Sequence, residues 1–279
     1  MKLGVHVFVS DGFPQAVEHA RSLGCDTMQI FSRSPRGWVA RPLETQEIEA
    51  FQNARSRAGI GPLAVHASYL INLASPNPML HRRSITALVE ELRRADRLGA
   101  DYLVVHVGSD SAHHETEALP RMARALRRVL KDWRFHCRLL LENTAGERGD
   151  MGNTGEQLGW ILKEIGDPEP VGICLDTCHL FAAGYDIRTE DGVNLLAKEM
   201  DRTVGLDRVR LIHANDSKKD LNCRVDRHQH IGEGFIGLEG FRAFINHPAF
   251  RTLPFVLETP KKDKADDPRN LKTLRGLKT

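Results

Sequence analysis

Six short apolar runs each end on a side chain able to ligate a metal ion. They are Leu63-Ala-Val-His66, Leu103-Val-Val-His106, Leu139-Leu-Leu-Glu142, Ile173-Cys-Leu-Asp176, Leu211-Ile-His213 and Phe255-Val-Leu-Glu258. Apolar runs of this length, bounded by turn signals, read as parallel strands buried on both faces. Coordinating side chains at the carboxyl ends of barrel strands all meet at one mouth. Six such runs in order point to a polynuclear metal site on an α/β barrel.

The rest of the chain supplies the alternation a barrel needs. Strands are expected at Leu3–Val7, Thr27–Phe31, Pro62–His66, Tyr102–His106, Arg138–Glu142, Val171–Asp176, Arg208–His213 and Pro254–Glu258. Helices are expected between them at Pro14–Leu23, Leu43–Ala58, Met79–Leu98, Glu117–Trp133, Gly155–Ile165, Gly192–Val204 and Leu238–Phe244. Gly24, Gly59, Gly99, Gly166 and Gly205 stand where helices should stop. Eight strand–helix units argue for closure into a single-domain (β/α)8 TIM barrel spanning 1–279. An open doubly wound sheet would instead gather its ligands at one switch point, and no glycine-rich phosphate loop opens a helix. The segment 261–279 reads as a solvated basic tail, with a phosphate contact as the lesser option.

Composition narrows the setting. The 279 residues are 41% hydrophobic, ample for one large core, and the net charge of +2 does not by itself announce a nucleic-acid partner. No run approaches the length of a membrane span. Five Cys are odd in number and irregularly spaced, which with no signal peptide suggests a reduced cytoplasm. Cys174 and Cys178 resemble half a zinc site, but Cys174 lies inside an apolar run and reads as packing. Among the 13 His, His19, His81, His113 and His114 read as surface or helix residues.

Two loops extend the ligand set. Asp176 and His179 share a space if Asp176 ends its strand and caps a following turn. Asp226 and His228 point to one side of an extended segment, with Arg227 pointing away. Taken alone, that pair reads as a surface ion pair. With the strand ends, the set becomes His66, His106, Glu142, Asp176, His179, His213, Asp226, His228 and Glu258. At about three ligands per open site, this suits two or three ions of zinc or manganese type. Clustered ions of that kind suit in-line displacement at phosphorus. Asn143 and Asn215 suit supporting hydrogen bonds. His6 reads either as a further supporting group or as a satisfied barrel-interior histidine.

At these residues the sequence resembles the endonuclease IV family of abasic-site DNA repair enzymes. The matching stretches are His66-Ala-Ser-Tyr-Leu-Ile-Asn-Leu-Ala74, Leu141-Glu-Asn-Thr-Ala-Gly146, Cys174-Leu-Asp-Thr-Cys-His179, His213-Ala-Asn-Asp-Ser-Lys218, Asp226-Arg-His228 with Ile231-Gly-Glu-Gly234, and Leu257-Glu-Thr-Pro260. The resemblance implies a barrel with three zinc ions, manganese replacing one or more. His66, His106 and Glu142 would hold the first. Asp176, His213 and Glu258 would hold the second, with Glu142 bridging. His179, Asp226 and His228 would hold the third. It implies hydrolysis of the phosphodiester 5′ to an abasic site in base excision repair, leaving a 3′-hydroxyl, together with cleaning of blocked 3′ ends. A hydroxide shared by the first two ions would attack, oriented by Glu258.

The resemblance also implies double-stranded DNA as partner and a monomeric enzyme. Arg36, within Phe31-Ser-Arg-Ser-Pro-Arg-Gly-Trp38, matches a residue inserted into the duplex. Tyr69 and Leu70 match a wedge at the lesion, although without the resemblance they read as loop packing. One departure stands out: Val107-Gly-Ser-Asp110 follows His106 where the family often has Pro-Gly-Ser-His. The rival reading is a metal-dependent sugar isomerase or epimerase on a related barrel. Such an enzyme has no need of His179 with Asp226 and His228.

Overall fold

The computed structural model describes residues 1–111, 114–131, 133–166 and 168–279; His113 lies outside the described residues. The strands are β1 (Lys2–Val7), β2 (Thr27–Phe31), β3 (Leu63–His66), β4 (Tyr102–His106), β5 (Arg138–Glu142), β6 (Val171–Asp176), β7 (Val209–His213), β8 (Asp216–Ser217), β9 (His228–Gln229) and β10 (Pro254–Leu257). The helices are α1 (Phe13–Ser22), α2 (Thr45–Ala58), α3 (Pro78–Arg97), α4 (Glu115–Leu130), α5 (Gly155–Glu164), α6 (Thr177–Ala183), α7 (Glu190–Thr203), α8 (Gly237–Asn246) and α9 (Asp266–Gly276). Eight parallel strands close in the order β1-β10-β7-β6-β5-β4-β3-β2, so the expected barrel is the observed one. β8 and β9 form a separate antiparallel pair outside it.

Strand parity places the ligands. Side chains alternate between the two faces of a strand. Ala64, Val104, Leu140, Cys174, Leu211 and Val256 face inward and pack as one apolar layer inside the barrel. His66, His106, Glu142, Asp176, His213 and Glu258 each follow one of these by two residues, so they form the next layer towards the mouth. The intervening Val65, Val105, Leu141, Leu175, Ile212 and Leu257 face outward into the larger core under the helices. Gly4 fits the same scheme at the crowded base of β1, where a Cβ would lie 1.8 Å from the Thr27 carbonyl oxygen.

The helix stops follow expectation. Gly24, Gly59, Gly99, Gly166 and Gly205 all take positive φ, the backbone conformation that costs glycine least. Among the described residues, no helix is long and apolar enough to cross a membrane. All five cysteines are free thiols. Cys174 packs in the inner layer as expected, and burial pushes its thiol up to about 12.

Two expectations are corrected. The segment 261–279 is no solvated tail. Residues Asp266–Gly276 form α9, which packs against β1 and β10; its Leu271 and Leu274 and the capping Leu277 are buried at helical spacing. The Lys-rich run masked this apolar stripe. α9 covers the seam where the first and last barrel strands join. The second correction concerns Asp176. It does cap the segment that follows, but that segment is a helix, α6, rather than a turn.

Candidate metal centre

The strand-end layer and two loops bring all nine expected residues together. His66, His106 and Glu142 form one group whose donor atoms lie within 4.8 Å of one another, and Glu142, Asp176, His213 and Glu258 form a second. His179, Asp226 and His228 form a third. Glu142 belongs to the first two because its oxygens point apart. Oε2 lies 3.1 Å from Nε2 of both His66 and His106, while Oε1 lies 2.8 Å from His213 Nδ1. Glu258 Oε2 lies 3.3 Å from the same His213 nitrogen.

The third group is assembled by local structure. The Asp176 side chain accepts from the His179 backbone N–H at 3.0 Å, which caps α6 and fixes where His179 projects. β9 brings His228 in from the far side. Nε2 of His179 and Nε2 of His228 each lie 3.2 Å from an Asp226 oxygen. Asp226 and His228 are therefore not the isolated surface pair they resemble in sequence.

Ring orientation fits cation binding. A ligating imidazole donates its second N–H to a carbonyl or carboxylate, which frees the other nitrogen for the ion. Here Nδ1 of His66 donates to Ala67 O at 2.7 Å, Nδ1 of His179 to Asn143 O at 2.9 Å, and Nδ1 of His228 to Glu258 O at 3.0 Å. His213 uses the opposite nitrogen: its Nε2 donates to Gln29 Oε1 at 2.9 Å, leaving Nδ1 towards the carboxylates. The Nε2 atoms of His179 and His228 are buried without a hydrogen-bond partner. Ligands of a tetrahedral zinc, each about 2.0–2.1 Å from the ion, stand about 3.3 Å apart. Each group holds ligand pairs at 3.1–3.3 Å, near that spacing, while Glu142 and Asp176 lie 2.8 and 4.0 Å from His213 Nδ1.

The electrostatics agree. For His106, Glu142, His179, His213, Asp226, His228 and Glu258, burial opposes the charge and neighbouring groups outweigh it. His213 and Glu142 are fully enclosed; the Glu258 and Glu142 carboxylates hold the His213 ring well above the ordinary histidine range. Asp176 and Asp226 do the same for His179, and raise His228 to about 9. In return, His213 and His106 hold Glu142 well below the usual carboxylate range, and His179 and His228 do so for Asp226. Four carboxylates in one enclosed space favour positive charge, which a divalent ion supplies without protons.

Asn143, Asn215 and His6 all contact the candidate ligands. Asn143 Oδ1 accepts from Asp176 N at 2.6 Å. Asn215 donates to Asp176 Oδ2 at 2.6 Å and accepts from Glu258 N at 2.8 Å. His6 Nδ1 lies 3.2 Å from Glu258 Oε1. Arg36 and Tyr69 are exposed and Leu70 is half-buried at the mouth. The Tyr69 ring stands 5.4 Å from that of His66. Val107 and Asp110 are both buried, with Arg121 3.5 Å from Asp110, so the divergent loop turns its carboxylate inward.

Two residues escape a ligand search. Gln29 donates to Glu258 Oε1 at 2.6 Å while accepting from His213, which ties one ligand to another. Its signal was a lone amide inside an apolar strand. Asp216 accepts backbone N–H groups from Gly232, Gly234 and Ile236, which shapes the loop beyond His228.

The Xylose isomerase-like TIM barrel family profile matches residues 17–278. A Chloroflexus aurantiacus protein named probable endonuclease 4 is 45% identical over 278 residues, covering 99% of this chain and 98% of the relative. A Methanosphaerula palustris protein of the same name is 42% identical over 280 residues, with 99% and 98% coverage. The crystal structure of endonuclease IV from Thermus thermophilus superposes with a TM-score of 0.87 at 37% identity, covering 99% of this chain and 98% of that one. A D-tagatose 3-epimerase-like protein reaches 0.76 at 21% identity, which speaks for the barrel alone.

Proposed function

Because the chain belongs to the endonuclease IV family, we propose that its centre takes three divalent ions and hydrolyses the phosphodiester 5′ to an abasic site in duplex DNA, leaving a 3′-hydroxyl. Zinc is the expected ion, with manganese at one or more positions. Cleaning of blocked 3′ ends uses the same centre, and both activities belong to base excision repair. The carrying observation is the grouping of the nine ligands. Glu142 serves two groups with opposite oxygens, and a separate His179–Asp226–His228 group stands beside them. A one- or two-ion sugar epimerase has no use for that third group.

When bound, such ions supply Lewis-acid charge at the phosphate and activate water for in-line attack. The chain contributes placement. Gln29, His6 and the Asn215 amide fix Glu258 so that one oxygen is held from behind and the other faces His213. Glu258 thereby orients the attacking water. Glu142 keeps two groups at a set separation. His179, Asp226 and His228 would hold the third ion, which would stabilise charge on the leaving 3′-oxygen. Arg36, Tyr69 and Leu70, exposed or half-buried around the mouth, contact the duplex and hold it open at the lesion.

The decisive experiment pairs metal analysis with cleavage of a duplex carrying one abasic site, before and after chelation. Close to three ions per chain and chelator-sensitive incision 5′ to the lesion are expected. A single ion with ketose turnover and intact DNA would overturn the reading.

A further inference from the structure

We propose that Glu91, on α3 and not itself among the metal ligands, is a positioning residue that sets the spacing between the two mouth loops carrying Arg36 and Tyr69–Leu70. This rests on the DNA reading of those loops and deepens it.

Glu91 is 1% exposed, and its carboxylate is shared between the loops. Oε1 accepts from the Ser68 backbone N–H at 3.1 Å, one residue before Tyr69. The same oxygen accepts from Arg33 Nε at 2.7 Å, and Oε2 accepts from Ser32 Oγ at 2.9 Å, both in the loop that leads to Arg36. The ring is closed by a direct bond between the loops, from Ser68 Oγ to Pro35 O at 2.8 Å. Arg33 continues to Trp38 O at 3.2 Å, on the far side of Arg36. Arg94, one turn along α3, donates to Ser32 Oγ at 3.1 Å and to Arg41 O at 2.7 Å. Arg36 is thus flanked on both sides by bonded residues, and Tyr69 is preceded by one.

The chemistry demands an anion. Arg33 and Arg94 bring two buried guanidinium groups, and Glu91 is the carboxylate between them. A buried pair of this kind gives little net stability but holds its partners in one arrangement, and removing one partner leaves an uncompensated charge. The carboxylate has enough lone pairs to serve both loops at once; an amide of the same shape has one acceptor oxygen and one donor nitrogen. Two wedge elements that must enter a duplex together need a fixed separation, because misplacement by about 1 Å is costly.

The test compares Glu91→Gln, Ser68→Ala and Leu88→Ala, the last a core truncation on the same helix. Amide exchange is read over residues 32–41 and 67–72, and steady-state incision is read on an abasic duplex. Glu91→Gln is expected to speed exchange in both loops together. It should raise KM about tenfold with kcat within about twofold and full metal content. Ser68→Ala, which spares the buried charges, should move both readouts in the same direction by less. Leu88→Ala should lower thermal stability with KM unchanged. Exchange unchanged in either loop overturns the proposal, as does an equal KM rise in Leu88→Ala. If the unaltered protein leaves an abasic duplex uncut, the functional reading fails, while the exchange measurement still decides whether Glu91 couples the loops.

Discussion

Glu142 and Glu258 are both carboxylates facing His213, yet they differ in what stands behind them. Glu142 has histidines on both oxygens, so it spans two groups. Glu258 has Gln29 and His6 on one oxygen and turns only the other towards His213. Glu258→Gln should therefore lower single-turnover incision by about a hundredfold or more while abasic DNA still binds; unchanged turnover would remove Glu258 from the mechanism. Gln29 touches the ligands Glu258 and His213, and His6 behind them. Gln29→Ala should weaken metal retention by about 10–100-fold, measured by competition with a chelator, because the His213 ring loses the partner that orients it.

At the scale of elements, the lesson is which signals were local. The six strand-end ligands were legible because an apolar run and its terminal residue sit together in the chain. The stop glycines were legible for the same reason. α9 was not, because Leu271, Leu274 and Leu277 are diluted by lysines and arginines, and only docking on β1 and β10 reveals the stripe. Gln29 was missed because its partners lie 184 and 229 residues away. Taken alone, Asp226 and His228 read as a surface pair; they joined the ligand set only with the strand ends, and the fold places both against His179. The docked reading of α9 makes a prediction: Leu274→Ala should cost about 2–5 kcal/mol in urea denaturation, as for a buried leucine, rather than nothing, as for a tail.

For the whole molecule, the centre links stability to metal and to pH. His228 is raised in the folded protein to about 9 from an ordinary value near 6.5. A raised base stabilises the fold fully below its unfolded value and loses that contribution as pH rises through the folded one. The chelated protein should therefore lose thermal stability between about pH 6.5 and 9. The metal-loaded protein should lack that decline, because the ion replaces the proton; parallel curves with and without chelator would refute the link. Binding to an abasic duplex should weaken as salt rises, since phosphate contacts release counterions, despite a net charge of only +2.

The alternation that lifts each ligand two residues above an apolar inner layer also dictates where this chain tolerates change in length. One residue added or lost between an inner-layer side chain and its ligand turns that ligand out of the barrel; the extra residue β7 carries against β6 falls before Leu211 and leaves His213 inward. The loops beyond the strand ends carry no such parity. Length variation among relatives should therefore gather in those loops, and the strands should hold a strict even count between inner-layer residue and ligand.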